Sequence, residues 1–78
     1  MKRIENVRAY ANLDDKPFQK AVLDLQVSTV TELLAIGIGD VVETFLIQPG
    51  SIAQVIQAGT WGTLDADGKW YDPDGVEI

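Results

Sequence analysis

Aromatic and acidic side chains are concentrated in the last nineteen residues of this 78-residue chain. The segment holds two tryptophans, one tyrosine and four aspartates: Trp61, Trp70, Tyr71, Asp65, Asp67, Asp72 and Asp74. Large aromatic side chains anchor protein–protein interfaces, and carboxylate oxygens at alternate positions are ligands that Ca²⁺ prefers. Any binding chemistry of this chain is therefore expected here.

The aspartate pattern does not complete a calcium site. A twelve-residue calcium loop that began at Asp65 would need glycine at position six and glutamate at position twelve. Trp70 and Val76 occupy those two positions. Because Asp-Gly pairs are typical of tight turns, we interpret these aspartates as turn residues and predict neither a metal nor a cofactor.

The aromatic residues admit two interpretations. Neighbouring strand residues point to opposite faces of a sheet, so Trp70 and Tyr71 cannot both face the core. In the structural interpretation Trp61 and Trp70 complete a small core and Tyr71 lies at its edge. In the functional one, all three aromatics and the four aspartates form a partner-binding patch that faces apolar and basic groups.

The residue types that most often carry catalysis are missing from this sequence. It has no histidine and no cysteine, so neither an imidazole base nor a thiolate nucleophile is available. Ser28 and Ser51 have no histidine to activate them, and no spacing indicates a lysine or carboxylate base. We therefore predict that the protein is not an enzyme.

Charge is distributed unevenly along the chain, whose net charge is −6. Residues 1–27 hold five bases and four acids, a net of +1, whereas residues 28–78 hold one base and eight acids, a net of −7. Nucleic-acid binding needs Lys and Arg to displace phosphate counterions, so we predict no direct contact with DNA or RNA. The acidity also suggests an alternative function, an inhibitor that mimics nucleic acid and blocks a nucleic-acid-binding protein.

Length and hydropathy favour a single domain over residues 1–78. A chain this short buries only about 60% of the surface of its unfolded form, so its core is thin. Its apolar runs fall short of the roughly 20 residues that span a bilayer, and its first residues lack the apolar stretch of a secretory signal. We therefore expect a cytoplasmic protein that does not contact membranes.

The first third of the sequence fits either strands or a helix. Residues 21–27 alternate apolar and polar side chains, the period of a half-buried strand. Phe18, Ala21, Val22 and Leu25 also fit helical spacing, with Asp15 as a possible cap. We favour a hairpin in which residues 4–13 and 18–27 are strands and Asp14-Asp15-Lys16 is the turn.

The middle of the chain holds the clearest helix signal. Thr29 and Glu32 have capping-box spacing, which predicts a helix near 30–36 that ends at Gly37 as C-cap. Residues 41–48 are rich in β-branched and aromatic side chains and favour a buried strand. Pro49-Gly50 predicts a turn, and residues 51–59 slightly favour a second helix over a strand.

The end of the chain is the best hairpin candidate. Residues 61–64 and 69–71 flank Asp65-Ala66-Asp67-Gly68, which suits a tight turn, and a second turn is expected at Asp72-Pro73-Asp74-Gly75. The predicted fold class is α+β: a small domain with a short helix near 30–36, mixed strands and helices, and a C-terminal β-hairpin.

These observations predict a small acidic, non-catalytic protein that acts through protein–protein interaction or self-assembly. A thinly stabilised monomer gains from burying apolar surface against a copy of itself, so the expected partner is a protein, with a homo-oligomer placed first. Chains of this kind are common among accessory proteins of phages and other mobile elements, and by this association we expect such an accessory role.

Overall fold

The structure is a computed structural model, and it describes residues 2–11 and 19–78. The described residues form seven strands and one short helix in the order β1, β2, α1, β3, β4, β5, β6 and β7. Their bounds are Arg3–Ala11, Gln19–Val27, Val30–Leu34, Val41–Val42, Phe45–Ile47, Ile52–Val55, Thr60–Leu64 and Trp70–Tyr71. All seven strands belong to one sheet, so the fold is sheet-dominated and has less helix than the α+β prediction expected.

The predicted N-terminal hairpin is present. Strands β1 and β2 pair antiparallel from Arg3 opposite Gln26 to Ala11 opposite Lys20, and the register shifts at two points in β1. The predicted turn at residues 14–16 and the helical alternative that begins at Phe18 rest on positions outside the described residues. Over residues 21–27 of β2, buried and less buried side chains alternate. The strand predicted from the alternating apolar and polar residues is therefore confirmed for this segment.

Strand β2 is the centre of the sheet, because three strands pair with it. Ala21 pairs with Tyr10 of β1 and with Ile47 of β4, and Leu25 pairs with Ile4 of β1 and with Ala53 of β5. Strand β1 therefore occupies one edge of β2, while β4 and β5 follow one another along the other edge, both parallel to β2. Strands β3, β6 and β7 extend the sheet antiparallel from β4 and β5.

The chain between β4 and β5 contains a bulge. Ile47 and Ile52 are five positions apart, whereas their partners Ala21 and Asp24 are three apart, so two extra residues must loop out. Ser51 repairs the ladder at this point, since its buried Oγ accepts a hydrogen bond from the Leu23 amide at 3.0 Å and donates one to the Gln48 carbonyl at 2.7 Å. The predicted Pro49-Gly50 turn makes up the bulge, with Gly50 at φ 95°.

The core lies on one face of the sheet and is covered by α1 and the segment after it. The buried apolar residues come from β2, α1 and the later strands: Ala21, Leu23, Leu25, Val27, Leu33, Ile36, Val42, Ile47, Ala53, Val55, Leu64 and Trp70. Helix α1 begins as predicted, because Thr29 Oγ1 accepts a hydrogen bond from the Glu32 amide at 3.1 Å. In the described part of the chain, no helix has the length and apolar character needed to cross a membrane.

The C-cap prediction for α1 was wrong. The helix ends at Leu34 with Ala35 as C-cap. The left-handed glycine lies further on, at Gly39 with φ 84°. The cause is a tight turn over residues 37–40, in which the Asp40 amide donates to the Gly37 carbonyl at 3.1 Å.

Two further predictions in the middle of the chain were wrong in detail. Residues 41–48 form two short strands joined by a turn at Glu43, which has φ 58°, because only a reversal buries both Val42 and Ile47. Residues 51–59 form strand β5 and a turn, not a helix. The pairing of β5 with both β2 and β6 outweighs the capping pattern that favoured a helix.

The C-terminal hairpin is present as predicted. Strands β6 and β7 pair at Thr63 opposite Tyr71 and Leu64 opposite Trp70. The tight turn between them contains Gly68 at φ 84°, and the Asp65 amide donates to the Lys69 carbonyl at 2.9 Å. The chain then turns again before residue 76.

Candidate site on the outer face of the sheet

The sheet has a second face that is turned away from the core, and we call it the outer face. In the paired segments of β2, β5, β6 and β7, the strand register places seven residues on it: Asp24, Gln26, Ile52, Gln54, Trp61, Thr63 and Tyr71. They lie in two rows across the strands. One row runs Asp24, Ile52, Thr63, Tyr71, and the other runs Gln26, Gln54, Trp61.

Trp61 is the main apolar group of the outer face. It pairs with Gln54 across β5 and β6 and keeps 41% of its surface exposed. It lines a shallow groove of about 500 Å³, which we call the Trp61 groove; the lining residues are Glu5, Asp24, Leu25, Ile52, Gln54 and Trp61. Trp61 also lines a smaller depression of about 180 Å³ that reaches Ile56 and Thr60. The indole therefore borders two hollows.

A further depression continues the outer face toward β7. It measures about 460 Å³ and is lined by Thr63, Asp65, Tyr71 and Gly75. Thr63 belongs to the same row as Ile52 of the Trp61 groove, so the hollows follow one another across the sheet. The Trp61 groove and this depression therefore lie on the same face of the sheet.

The side of the sheet formed by β1 and β2 is basic. The described charged residues of these two strands, with Lys2 before them, are four bases and two acids, a net of +2, and we call this set the basic end: Lys2, Arg3, Arg8, Lys20, Glu5 and Asp24. Arg8 Nε lies 2.6 Å from Asp24 Oδ1, and its Nη2 donates to the Gly50 carbonyl. Arg3 Nη2 lies 2.6 Å from Glu5 Oε1. Both carboxylates of the Trp61 groove are therefore ion-paired.

The opposite end of the sheet is acidic. Five acids and one base lie on and after the β6–β7 turn, a net of −4, and we call this set the acidic end: Asp65, Asp67, Asp72, Asp74, Glu77 and Lys69. Lys69 Nζ lies 3.4 Å from Glu77 Oε1. The two ends of the molecule thus carry opposite net charge, separated by the width of the sheet.

Two of the aspartates are bound into their own turns. Asp67 Oδ1 accepts from the Lys69 amide at 2.9 Å, and Asp72 Oδ1 accepts from the amides of Asp74 and Val76, each at 2.9 Å. Side-chain hydrogen bonds of this kind, from the backbone two residues further on, are typical of Asp in turns. In the described part of the chain, no three His, Cys, Asp or Glu side chains come together in a way that could hold a metal ion.

Tyr71 and Asp67 form a short contact across the β6–β7 turn. The Tyr71 hydroxyl donates to Asp67 Oδ2 at 2.5 Å. Because this hydrogen bond stabilises the protonated phenol, it raises the pKa of Tyr71 to about 12. The same bond, with a second from the Lys69 amide, lowers the pKa of Asp67.

The structure separates the predicted aromatic residues. Trp61 and Tyr71 lie on the outer face, whereas Trp70 is 2% exposed and belongs to the core. Trp70 Nε1 donates to the Ile36 carbonyl at 2.9 Å, so its polar atom is also satisfied inside the protein. The expectation that Trp70 and Tyr71 face opposite sides is confirmed. A partner-binding role for the seven predicted residues stays a prediction.

Sequence reasoning missed several residues of the outer face. Ile52 and Gln54 were overlooked because a helix was favoured for their segment. Glu5 and Arg8 sit at the two register shifts of β1, which no local pattern signalled. Asp24 was identifiable, since it is a polar residue in the alternating pattern of β2.

The chain was compared with known proteins at three levels. No protein-family model matches it, and neither curated proteins nor solved structures gave a significant match.

Proposed function

We propose that the protein is a small non-catalytic binding protein that works by self-association, and that a second copy of the chain covers its outer face. The observation that carries this proposal is the contrast between the two tryptophans. Trp70 is buried at 2% exposure, whereas Trp61 keeps 41% of its surface exposed and lines two hollows. An aromatic ring beside a groove is typical of the central anchor of a protein interface.

Charge complementarity favours a second copy as the partner. The basic end and the acidic end lie at opposite sides of the same sheet, so each end of one molecule matches the other end of a second molecule. Opposite net charges across an interface favour the correct pairing and suppress wrong partners. The thin core also favours an oligomer, because a chain of this size gains stability by burying apolar surface against another copy.

The shape of the sheet favours contact through its face over contact through its edges. Strand β1 is a long edge strand, but it carries register shifts between Ile4 and Asn6 and between Val7 and Ala9. Bulges of this kind twist an edge and discourage further strand pairing. At the other side β7 spans two residues and is already bridged by Glu77 opposite Tyr71.

The proposed function also fits the acidic composition better than nucleic-acid mimicry does. A mimic of nucleic acid needs negative charge along its whole binding surface, whereas the β1–β2 side of this sheet has four bases and two acids. The side-chain oxygen of Asp24 is ion-paired with Arg8. In self-association, the basic end of one copy pairs with the acidic end of another copy, and no other protein is required.

Sedimentation equilibrium tests the proposed function. We expect the wild-type protein to be dimeric or larger at high micromolar concentration, and Trp61→Ser to shift it to monomer. Ile38→Ser is the matched control, since Ile38 is also 41% exposed but follows α1 on the core side of the sheet. A wild-type protein that stays monomeric at high micromolar concentration would overturn the proposal.

A further inference from the structure

The geometry points to a specific arrangement of the self-associated protein, an inference that rests on the proposed function. We infer a two-fold symmetric dimer in which two outer faces stack, with the symmetry axis parallel to the strands and above β5. The Trp61 of each copy then packs beside the Trp61 groove of the other. Each basic end meets the partner's acidic end.

The strand order carries the first step of this inference. Across the outer face the strands follow the order β1, β2, β5, β6, β7. A two-fold axis that runs along the strands over β5 reverses this order in the second copy. Strand β6 of one copy therefore lies above β2 of the other, and β7 lies above β1.

The position of the Trp61 groove carries the second step. Trp61 is on β6, and the groove opens over β1, β2 and β5, where Glu5, Asp24 and Ile52 line it. Stacking β6 on β2 places the indole of one copy over Gln26 of the other, next to the groove residues Asp24 and Gln54, and the symmetry repeats this contact. Two sheets that pack face to face keep their strands within about 30° of one another, so the rows of the two faces stay close to register.

Charge carries the third step. Arg3 pairs with Gln26, and the row continues through Gln54 to Trp61. On β7, Tyr71 lies opposite Thr63. The position opposite Trp61 is therefore two residues after Tyr71, in the turn that contains Asp74. With β7 stacked above β1, Arg3 of each copy faces the Asp74 turn of the other. Stacking the other way, β1 on β1, would oppose like charges at both ends.

Charge reversal tests this arrangement by sedimentation equilibrium at low salt. We expect Arg3→Glu alone and Asp74→Lys alone each to raise the dimer dissociation constant by about fivefold or more, because each substitution opposes like charges at two symmetric contacts. The double variant Arg3→Glu/Asp74→Lys restores the pairing with inverted sign and should return the constant to near the wild-type value. Glu43→Lys, in the exposed β3–β4 turn, is the charge-matched control and should change little.

The outcomes separate this inference from the proposed function. A dimer that Trp61→Ser dissociates, but in which the double variant is as weak as the two single variants, would overturn the arrangement and leave self-association standing. Circular dichroism of each variant excludes unfolding as the cause of a lost dimer. Recovery in the double variant, together with weakening of the wild-type dimer by added salt, supports the arrangement.

Discussion

The indole Nε1 of Trp70 and the carbonyl oxygen of Ile36 are 2.9 Å apart and joined by a hydrogen bond, which ties the C-terminal hairpin to the segment after α1. The bond joins residues thirty-four positions apart in the chain, and both residues are buried. The hairpin is therefore part of the scaffold on its core side, and its other side is free to carry Trp61 and Tyr71.

Trp70→Phe is expected to destabilise the protein by about 2–4 kcal/mol. The substitution removes the donor for the buried Ile36 carbonyl and leaves unfilled volume in the core. Urea denaturation followed by circular dichroism measures the effect as a shift of the midpoint. Trp61→Phe is the matched control and should change stability by less than about 1 kcal/mol, since Trp61 is a surface residue. Equal losses for the two variants would contradict the division into core and outer face.

Ser51→Ala is expected to destabilise the protein by about 1–3 kcal/mol. Its hydroxyl takes the place of a backbone acceptor for the Leu23 amide, and alanine leaves that buried amide unsatisfied. Urea denaturation gives the overall loss, and hydrogen exchange at the Leu23 amide should accelerate more than at other β2 amides. Thr44→Ala, at an exposed turn position, serves as the control and should stay within about 0.5 kcal/mol of wild type.

The parts of the fold that depend on local signals were predictable. The capping pattern of Thr29 and Glu32 located the start of α1, the alternation in residues 21–27 identified β2, and the Asp-Gly pairs located the C-terminal turns. In each of these, side chains a few residues apart determine the backbone, so the sequence carries the information directly.

The parts that depend on pairing between distant segments were not predictable. Residues 51–59 have a capping pattern, but β5 exists because β2 and β6 supply partners on both sides. The bulge at Ser51 arises only where two strands follow one edge of β2. The outer face follows from these pairings, so Ile52 and Gln54 could not be assigned to a site beside Trp61 from the sequence.

Gly62 and Ile78 are expected to be energetically coupled. A Cβ added at Gly62 would lie 2.7 Å from Ile78 Cδ1, closer than carbon atoms pack. The flexible end of Ile78 must shift to admit the added methyl group, so Gly62→Ala should destabilise by about 1 kcal/mol. Ile78→Val removes that Cδ1 and makes room. In a double-mutant cycle the two substitutions together should be less destabilising than their sum by about 1 kcal/mol. Strict additivity in urea denaturation would show that the C-terminal isoleucine does not pack over Gly62.

Asp67→Asn is expected to lower the pKa of Tyr71 from about 12 toward the ordinary value of 10.0. The variant removes the charged acceptor that favours the protonated phenol. Phenolate absorbance measures this in a Tyr10→Phe background, which removes the other tyrosine of the chain. Asp65→Asn is the control, because Asp65 lines the same depression as Tyr71, whereas the Tyr71 hydroxyl donates to Asp67.

The same hydrogen bond makes stability depend on pH at both extremes. Because the folded pKa of Tyr71 is raised, its contribution is fully present below pH 10.0 and is lost as the pH rises through about 12. Because the folded pKa of Asp67 is lowered from 3.8, its contribution is present above that pH and is lost as the pH falls through the lowered value. In Asp67→Asn the alkaline midpoint of unfolding should therefore move to lower pH. An unchanged midpoint, with an unchanged Tyr71 titration, would show that the two side chains do not interact in solution.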